Sequence, residues 1–275
     1  MVNEKIKTLF EEEHILRVSV LPLSACRVTN ARLYEQKGFL PQSVLVFLIP
    51  YFSVAPDNFS AYAAAEDYHF YAKELYARMH TRLKEAFPEG DFLGFADHSP
   101  IDERDAAIRA GLGLFGKNRL LISKEYGTYQ FIGEFLSTLP AECFGSVTLS
   151  PFTLCIGCGA CLSACPTGIL RGESRECLSA ITQKKGALSE EEKALMRRVG
   201  TAWGCDECQK VCPYVKEAAH LGSLKTEIPF FSENLITHLD TETVESMSDE
   251  VFHRRAFAWR GRETVLRNTR ILEEK

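Results

Sequence analysis

Ten cysteines in 275 residues are the first chemistry this chain offers, and eight of them lie between Cys155 and Cys212. Cys155, Cys158, Cys161 and Cys165, followed by Pro166, spell CxxCxxCxxxCP. In two-cluster ferredoxins this run puts three thiolates on one 4Fe–4S cube and sends the fourth to the other. The short spacers hold Gly157 and Gly159, which let the backbone curl around a cube because positive φ costs glycine little. Cys205, Cys208 and Cys212 before Pro213 repeat the theme as CxxCxxxCP. That leaves one ligand missing for two cubes, and Cys177 is the remaining cysteine of the segment and its natural eighth ligand. In a crossed arrangement Cys155, Cys158, Cys161 and Cys212 hold one cube, and Cys165, Cys177, Cys205 and Cys208 hold the other. Zinc also uses CxxC pairs, but the third cysteine after two residues and the Cys-Pro endings are cluster features. Cys26 and Cys143, outside the segment, are expected to be plain buried thiols.

The rest of the composition says where such clusters would work. Apolar residues make up 45% of the chain and charged residues 25%, which excludes disorder, collagen and low complexity and allows one large domain or two modest ones. With 32 basic and 37 acidic residues the net charge is −5, so nucleic acid could be held only by a local basic surface. The apolar run from Val44 to Phe52 is too short to span a bilayer, and Met1 to Glu13 is charged where a signal peptide would be apolar. A cytoplasmic protein without membrane contact is expected. Disulfides are rare in that compartment, and a high cysteine density there points to metal.

The elements that must position this chemistry are legible as patterns. Leu16, Val18 and Val20 alternate with polar residues, and Ser43 to Phe52 is a continuous apolar run of the kind found in strands buried on both faces. Ala65, Tyr68, Ala72, Leu75, Met79 and Leu83 recur at helical steps, predicting an amphipathic helix over Asp67 to Ala86. Tyr129, Phe131, Gly133 and Phe135 return to a period of two, and Ser189 with Glu192 has the spacing of a capping box. The final helix is expected over Ser248 to Leu272, carrying Arg254, Arg255, Arg260, Arg262, Arg267 and Arg270. The fold class is therefore an α/β (α+β) N-terminal domain over residues 1–150. A ferredoxin-like double 4Fe–4S domain follows over 151–218, and a C-terminal helical tail over 219–275 packs on the other two.

Four stretches carry a resemblance. Asp97 to Asn118 reads DHSPIDERDAAIRAGLGLFGKN, Tyr126 to Leu139 reads YGTYQFIGEFLSTL, Ala65 to His69 reads AEDYH, and Gly204 to Pro213 reads GCDECQKVCP. Over about residues 40 to 270 the chain resembles the epoxyqueuosine reductase family. That family has a stretch of acidic residue, Pro, Glu or Asp, and Arg, then Ala-Gly-Leu-Gly and Gly-Lys, and a Gly-aromatic-Leu-Gly-Glu segment. The resemblance implies a cobalamin-dependent reductase in which electrons pass through two 4Fe–4S clusters to cobalt. The epoxide oxygen of epoxyqueuosine in a tRNA anticodon loop would then leave as water.

The family's general acid falls at Glu103. Oxygen cannot leave as water without protonation, and a carboxylic acid kept partly neutral by an apolar corrin face is a fitting donor. Without its surrounding motif, Glu103 would read as a surface glutamate at a helix start. The same resemblance places Asp97, Gly111, Gly113, Gly116, Lys117, Asn118, Gly133 and Glu134 at the corrinoid, in an interdomain cleft. Close backbone approach to the corrin or its nucleotide tail is the expected role of Gly111, Gly113 and Gly116, which taken alone would only shape a turn. Asp67 and His69 read equally as ligands or as polar residues of a helix face.

An electron-donor protein of ferredoxin or flavodoxin type and a monomeric state are expected. Full-length family members carry a C-terminal helical-repeat region that helps hold tRNA, and this chain ends where that region would begin. Binding of tRNA therefore stays open. The arginine-rich tail could meet phosphates or pack against the protein's own acidic surface. Two other readings stand beside the first: a corrinoid and iron–sulfur reductase of a small molecule, and an electron carrier with no corrinoid.

Overall fold

Ser43 to Pro50 is buried at every position, because both faces of the strand it forms are covered. The computed structural model describes residues 2–274, which divide into two units. Met1–Pro50 with His69–Gly157 forms the first, and Tyr51–Tyr68 with Cys158–Lys275 the second.

In chain order the first unit contains α1 (Glu4–Glu11), β1 (Val18–Pro22), α2 (Arg32–Glu35), β2 (Ser43–Pro50) and α3 (Tyr68–Ala86). It continues with β3 (Phe92–Ala96), α4 (Glu103–Arg109), β4 (Leu114–Phe115), β5 (Leu121–Ile122) and β6 (Gln130–Ser137). Four strands make one sheet in the order β1-β2-β6-β3, and every neighbouring pair is antiparallel. Doubly buried strands are the habit of parallel sheets. Here helices on both faces give an antiparallel strand the same apolar sequence. On one face Phe47 meets Phe10 of α1 at 4.9 Å and Tyr76 of α3 at 6.2 Å between ring centroids. On the other, Val44, Val46 and Leu48 pack with Ala106, Ala107 and Ile108 of α4. Each such aliphatic side chain contributes about 1.5–3 kcal/mol by leaving water. The helical period read from the sequence is realised in α3, where Leu75, Met79 and Leu83 are fully buried.

The second unit contains α5 (Ala160–Ala164), α6 (Leu178–Thr182), α7 (Glu190–Val199), α8 (Glu207–Lys210) and α9 (Pro213–His220). It ends with α10 (Thr241–Ser246), α11 (Asp249–His253) and α12 (Arg262–Glu273). Ser189 and Glu192 do form the capping box that opens α7. The core gathers Phe59, Trp203, Phe252, Phe257 and Val265, and the Trp203 indole N–H donates to the Tyr62 hydroxyl at 2.8 Å.

Three features depart from the sequence-based expectation. Tyr51–Tyr68, which precedes the cysteine segment by some distance in sequence, belongs to its unit: Ala202 N–H donates to the Asn58 carbonyl at 2.6 Å and Ser60 N–H to that of Trp203 at 2.8 Å. The tail shares that unit too, because the fully buried Asn268 donates from Nδ2 to the carbonyls of Thr182 at 2.7 Å and Ala202 at 2.8 Å. The last helix is not continuous from Ser248 to Leu272. It breaks between α11 and α12 at Gly261, whose φ of 88° and ψ of 151° suit glycine and no helix. Among the described residues no helix is long and apolar enough to cross a membrane.

Candidate active site and cluster-binding segment

Glu103 is the first residue of α4, whose N-cap Asp102 accepts from the Asp105 N–H at 3.2 Å. A helix start favours an ionised carboxylate, yet burial wins here. Oε2 of Glu103 is buried with no hydrogen-bond partner among the described residues. Burial and the charge of Asp97, opposed by Arg104 and reinforced by Asp102, push the carboxyl up to about 7.

Glu134 lies on β6 opposite Val46 and Phe95 and is 1% exposed. The Ser99 hydroxyl donates to its Oε1 and accepts the Ile101 N–H at 3.0 Å, while Oε2 has no partner. Burial pushes this carboxyl up to about 8; the bond from Ser99 works against that and the charge of Glu103 adds to it. Asp97 sits on the exposed turn before Ser99 with a left-handed φ of 61°, and its Oδ2 lies 3.5 Å from His69 Nε2. His69 is exposed, facing this turn.

The glycines divide. A Cβ at Gly113 would stand 2.5 Å from the Ile122 carbonyl oxygen, one at Gly116 would strike the Asn118 side chain, and one at Gly133 would strike the Phe47 ring. Close approach of the chain to itself accounts for these three. Gly111 has a φ of 73° and meets only the Ser150 hydroxyl, at 2.9 Å from its ideal Cβ. Lys117 is exposed, its Nζ 3.7 Å from the Cβ position of Gly157. Asn118 is 6% exposed, with Oδ1 accepting from Leu120 N–H at 3.3 Å and Nδ2 buried without a partner. Buried polar groups are nearly always paired. The orphaned polar atoms on Glu103 and Asn118 therefore fit a polar ligand or cofactor, and they lie on residues the sequence singled out; that of Glu134 is sealed within the packing of the sheet.

The glycine loop also leads to the cysteines. Phe115 N–H donates to the Thr153 carbonyl at 2.8 Å, and Cys155 N–H donates to the Phe115 carbonyl at 3.0 Å. Among the described residues no three thiols, imidazoles or carboxylates converge on a single-ion geometry. Instead the thiols fall into neighbourhoods. Burial pushes Cys208 up to about 12, with the charges of Cys205, Cys177 and Cys161 adding to the effect. Burial likewise brings Cys205 to about 12, with Cys177 among its neighbours. Cys165 and Cys212 are buried, Cys155, Cys161 and Cys177 partly so, and Cys158 is exposed. Burial acts upward on Cys165 as well, but N–H groups of Leu170, Thr167 and Gly168 and the Thr167 hydroxyl hold its thiol below the ordinary value. Eight soft sulfur donors of this kind suit iron–sulfur clusters.

Sequence reasoning missed Asp206, although it stands inside the quoted GCDECQKVCP. Between Cys205 and Cys208, it is 4% exposed and accepts from the Ser60 hydroxyl at 2.5 Å, Ala61 N–H at 2.8 Å and Gln209 Nε2 at 2.8 Å. Ser99 and Tyr76 were missed too, and nothing in their spacing marks them. Cys143 is exposed and Cys26 half-buried, so the expectation of two buried thiols fails for Cys143, which lies on a surface turn. Five of the six tail arginines are tied to other groups of the chain. Arg254 pairs with Glu66, Arg255 donates to the Asn234 carbonyl at 2.6 Å, and Arg262 pairs with Asp249 at 3.1 Å. Arg267 donates to the Lys184 carbonyl at 2.7 Å, Arg270 pairs with Glu245 at 2.9 Å, and Arg260 stacks on Trp259 at 3.7 Å.

Residues 154–215 match the 4Fe-4S double cluster binding domain, so the cysteine segment is an iron–sulfur module of the two-cluster type. The epoxyqueuosine reductase of Listeria monocytogenes is 30% identical over 96% of this chain and 73% of its own length. That of Lactococcus garvieae is 32% identical over 77% of this chain and 60% of its own length. The chain belongs to the epoxyqueuosine reductase family. Its fold is that of an epoxyqueuosine reductase crystallised with an epoxyqueuosine-modified tRNA-Tyr stem loop, with a TM-score of 0.73, 22% identity and coverage of 98% of this chain and 80% of the other.

Proposed function

We propose that this chain reduces the epoxide of epoxyqueuosine in tRNA to the alkene of queuosine. The observation that carries the reading is the half-buried Glu103, an acid near neutrality with an unpartnered Oε2 in a chain of this family. Below about pH 7 it is protonated and can give its proton to the departing epoxide oxygen. Bound cobalamin, fed through the two clusters, would supply the low-potential electron pair. Asn118 Nδ2, Lys117 and the backbone at Gly111 are this chain's candidates for holding the corrinoid. Cys155, Cys158, Cys161 and Cys212 would hold one cluster, and Cys165, Cys177, Cys205 and Cys208 the other. The neighbourhood of Cys177, Cys205 and Cys208 supports the second set. A ferredoxin- or flavodoxin-type donor would feed a monomeric enzyme in the cytoplasm, where its tRNA is.

One observation favours a second reading. The tail arginines that would meet phosphates are engaged by the chain itself, which suits a small oxidised substrate. Anaerobic reconstitution with iron, sulfide and cobalamin, followed by assay on epoxyqueuosine-containing tRNA and on the free nucleoside, separates the two. Turnover of the tRNA is expected. Turnover of the nucleoside alone moves the substrate to the small-molecule class, and turnover of neither refutes both.

A further inference from the structure

Converting an epoxide to an alkene breaks two C–O bonds, forms one C=C bond and releases the oxygen as water, so each turnover consumes two electrons and two protons. Glu103 carries one proton. Glu134 is a buried carboxyl with no part in that transfer. It stands in the central part of the sheet, on the face that carries Val44, Val46 and Leu136 and packs beneath α4. At 1% exposure it cannot touch substrate. Its Oε1 is taken by the Ser99 hydroxyl, and its Oε2, like Oε2 of Glu103, is a buried oxygen with no partner. A carboxylate in that setting would leave a full charge against apolar walls, whereas a carboxylic acid places its hydrogen on the unpartnered oxygen.

We propose that Glu134 stores the second proton of the reaction and returns Glu103 to its acid form, with the Ser99 hydroxyl as the link to solvent. The inference rests on the epoxide-reducing reading above. Glu134 gives up the proton of Oε2 toward Glu103. Ser99, which is partly exposed, passes its hydroxyl proton to Oε1 and takes another from hydronium or a buffer acid in the solvent, so Glu134 is refilled and no charge is left on the relay. Glu134 is thus a positioning residue for the proton, acting through Glu103. The groups around the pair agree with this order. Glu103 feels Asp97, Arg104 and Asp102. Glu134 feels Glu103 and Ser99, and its charge reaches Tyr76 of α3 and Cys26. Burial pushes both carboxyls up, and Glu134, the more deeply buried of the two, is held the more firmly in its acid form.

The test uses the reconstituted holoenzyme with Glu134→Gln and Ser99→Ala. Infrared spectra without substrate, taken in a Glu103→Gln background so that Glu103 adds no band, should lose a C=O stretch of a protonated carboxylic acid at neutral pH on Glu134→Gln, and Ser99→Ala should shift that band. In turnover, log kcat of the parent should fall with a limiting slope of about −2 at high pH, and that of Glu134→Gln with about −1, at a kcat lowered about tenfold to a hundredfold and an unchanged KM for tRNA. An unchanged slope and kcat in Glu134→Gln, or a substitution that removes no carboxylic acid band, overturns the proposal. Should Glu134→Gln fail to fold, Ser99→Ala with parental kcat and an unshifted band overturns it equally. If the band behaves as expected but the parent reduces no epoxide, the functional reading falls and takes the second-proton role with it. If the parent reduces epoxide and the slope stays, this role alone falls.

Discussion

Glu103→Gln separates what the acid does for the reaction from what it costs the fold. In the folded protein its carboxyl titrates at about 7 against an ordinary 4.5, chiefly through burial, a difference equivalent to at most roughly 3 kcal/mol. Because the folded pKa is raised, the folded state holds the proton where the unfolded state has lost it. The contribution to stability is complete below pH 4.5 and declines until the pH passes about 7. Glutamine cannot ionise. Glu103→Gln should therefore match the parent near roughly pH 4 and exceed it by up to roughly 3 kcal/mol near pH 9. Part of that gain comes through Glu134, since the charge of Glu103 is one of the causes that raise it. Turnover should move the other way, falling about 10²- to 10⁴-fold with clusters and corrinoid retained. Urea unfolding at the two pH values, beside single-turnover reduction of epoxyqueuosine tRNA, reads both. A stability difference that does not change with pH would show that Glu103 is not a desolvated acid. Parental turnover would assign the proton to water or to Asp97.

Anaerobically purified protein should carry about eight iron and eight acid-labile sulfide. Cys177→Ala should lose one cluster by electron paramagnetic resonance, while Cys26→Ala and Cys143→Ala keep both. Gly133→Ala should lower stability by about 1–3 kcal/mol, measured by urea unfolding, because the added methyl meets the Phe47 ring and lies 3.0 Å from the Tyr76 hydroxyl. Arg262→Glu breaks the pair with Asp249 and the stacking over Phe252 at 4.4 Å between guanidinium and ring centroid. It should lower the melting temperature and leave the salt dependence of tRNA affinity as it was; a flattened salt slope would return the tail to the nucleic-acid surface.

Local signals were legible wherever the chemistry is local. The spacing of Cys155 to Cys165, the apolar run of β2, the period of α3 and the Ser189 capping box each state their own structure within a few residues. What stayed hidden depends on partners far away in sequence. Tyr51–Tyr68 joins the cysteine unit through backbone bonds to Ala202 and Trp203 and through Asp206, none of which has a periodic signature. Six arginines in the tail resemble a phosphate-binding face until the partners of five of them, Glu66, Asn234, Asp249, Lys184 and Glu245, are seen. Gly261 is one residue in a helical pattern, and single glycines are tolerated in helices. Its backbone angles alone show the break.

The two carboxyls at the site follow from the sheet that carries one of them. A strand buried on both faces can present an acidic side chain only to an apolar layer, so the same packing that makes β2 and β6 hydrophobic raises Glu134 and keeps it a proton holder at neutral pH. Cations that would reverse this are committed elsewhere in the unit: Arg109 to Asp105 at 2.7 Å, Arg17 to Glu125 at 3.1 Å, and Arg82 to Glu12 and Glu13. Of the groups acting on Glu103, only Arg104 pulls toward the charged form, and burial outweighs it. The destabilisation that each neutral acid imposes at high pH is therefore the physical counterpart of its readiness to give a proton. Neutralising either carboxyl should trade activity for stability.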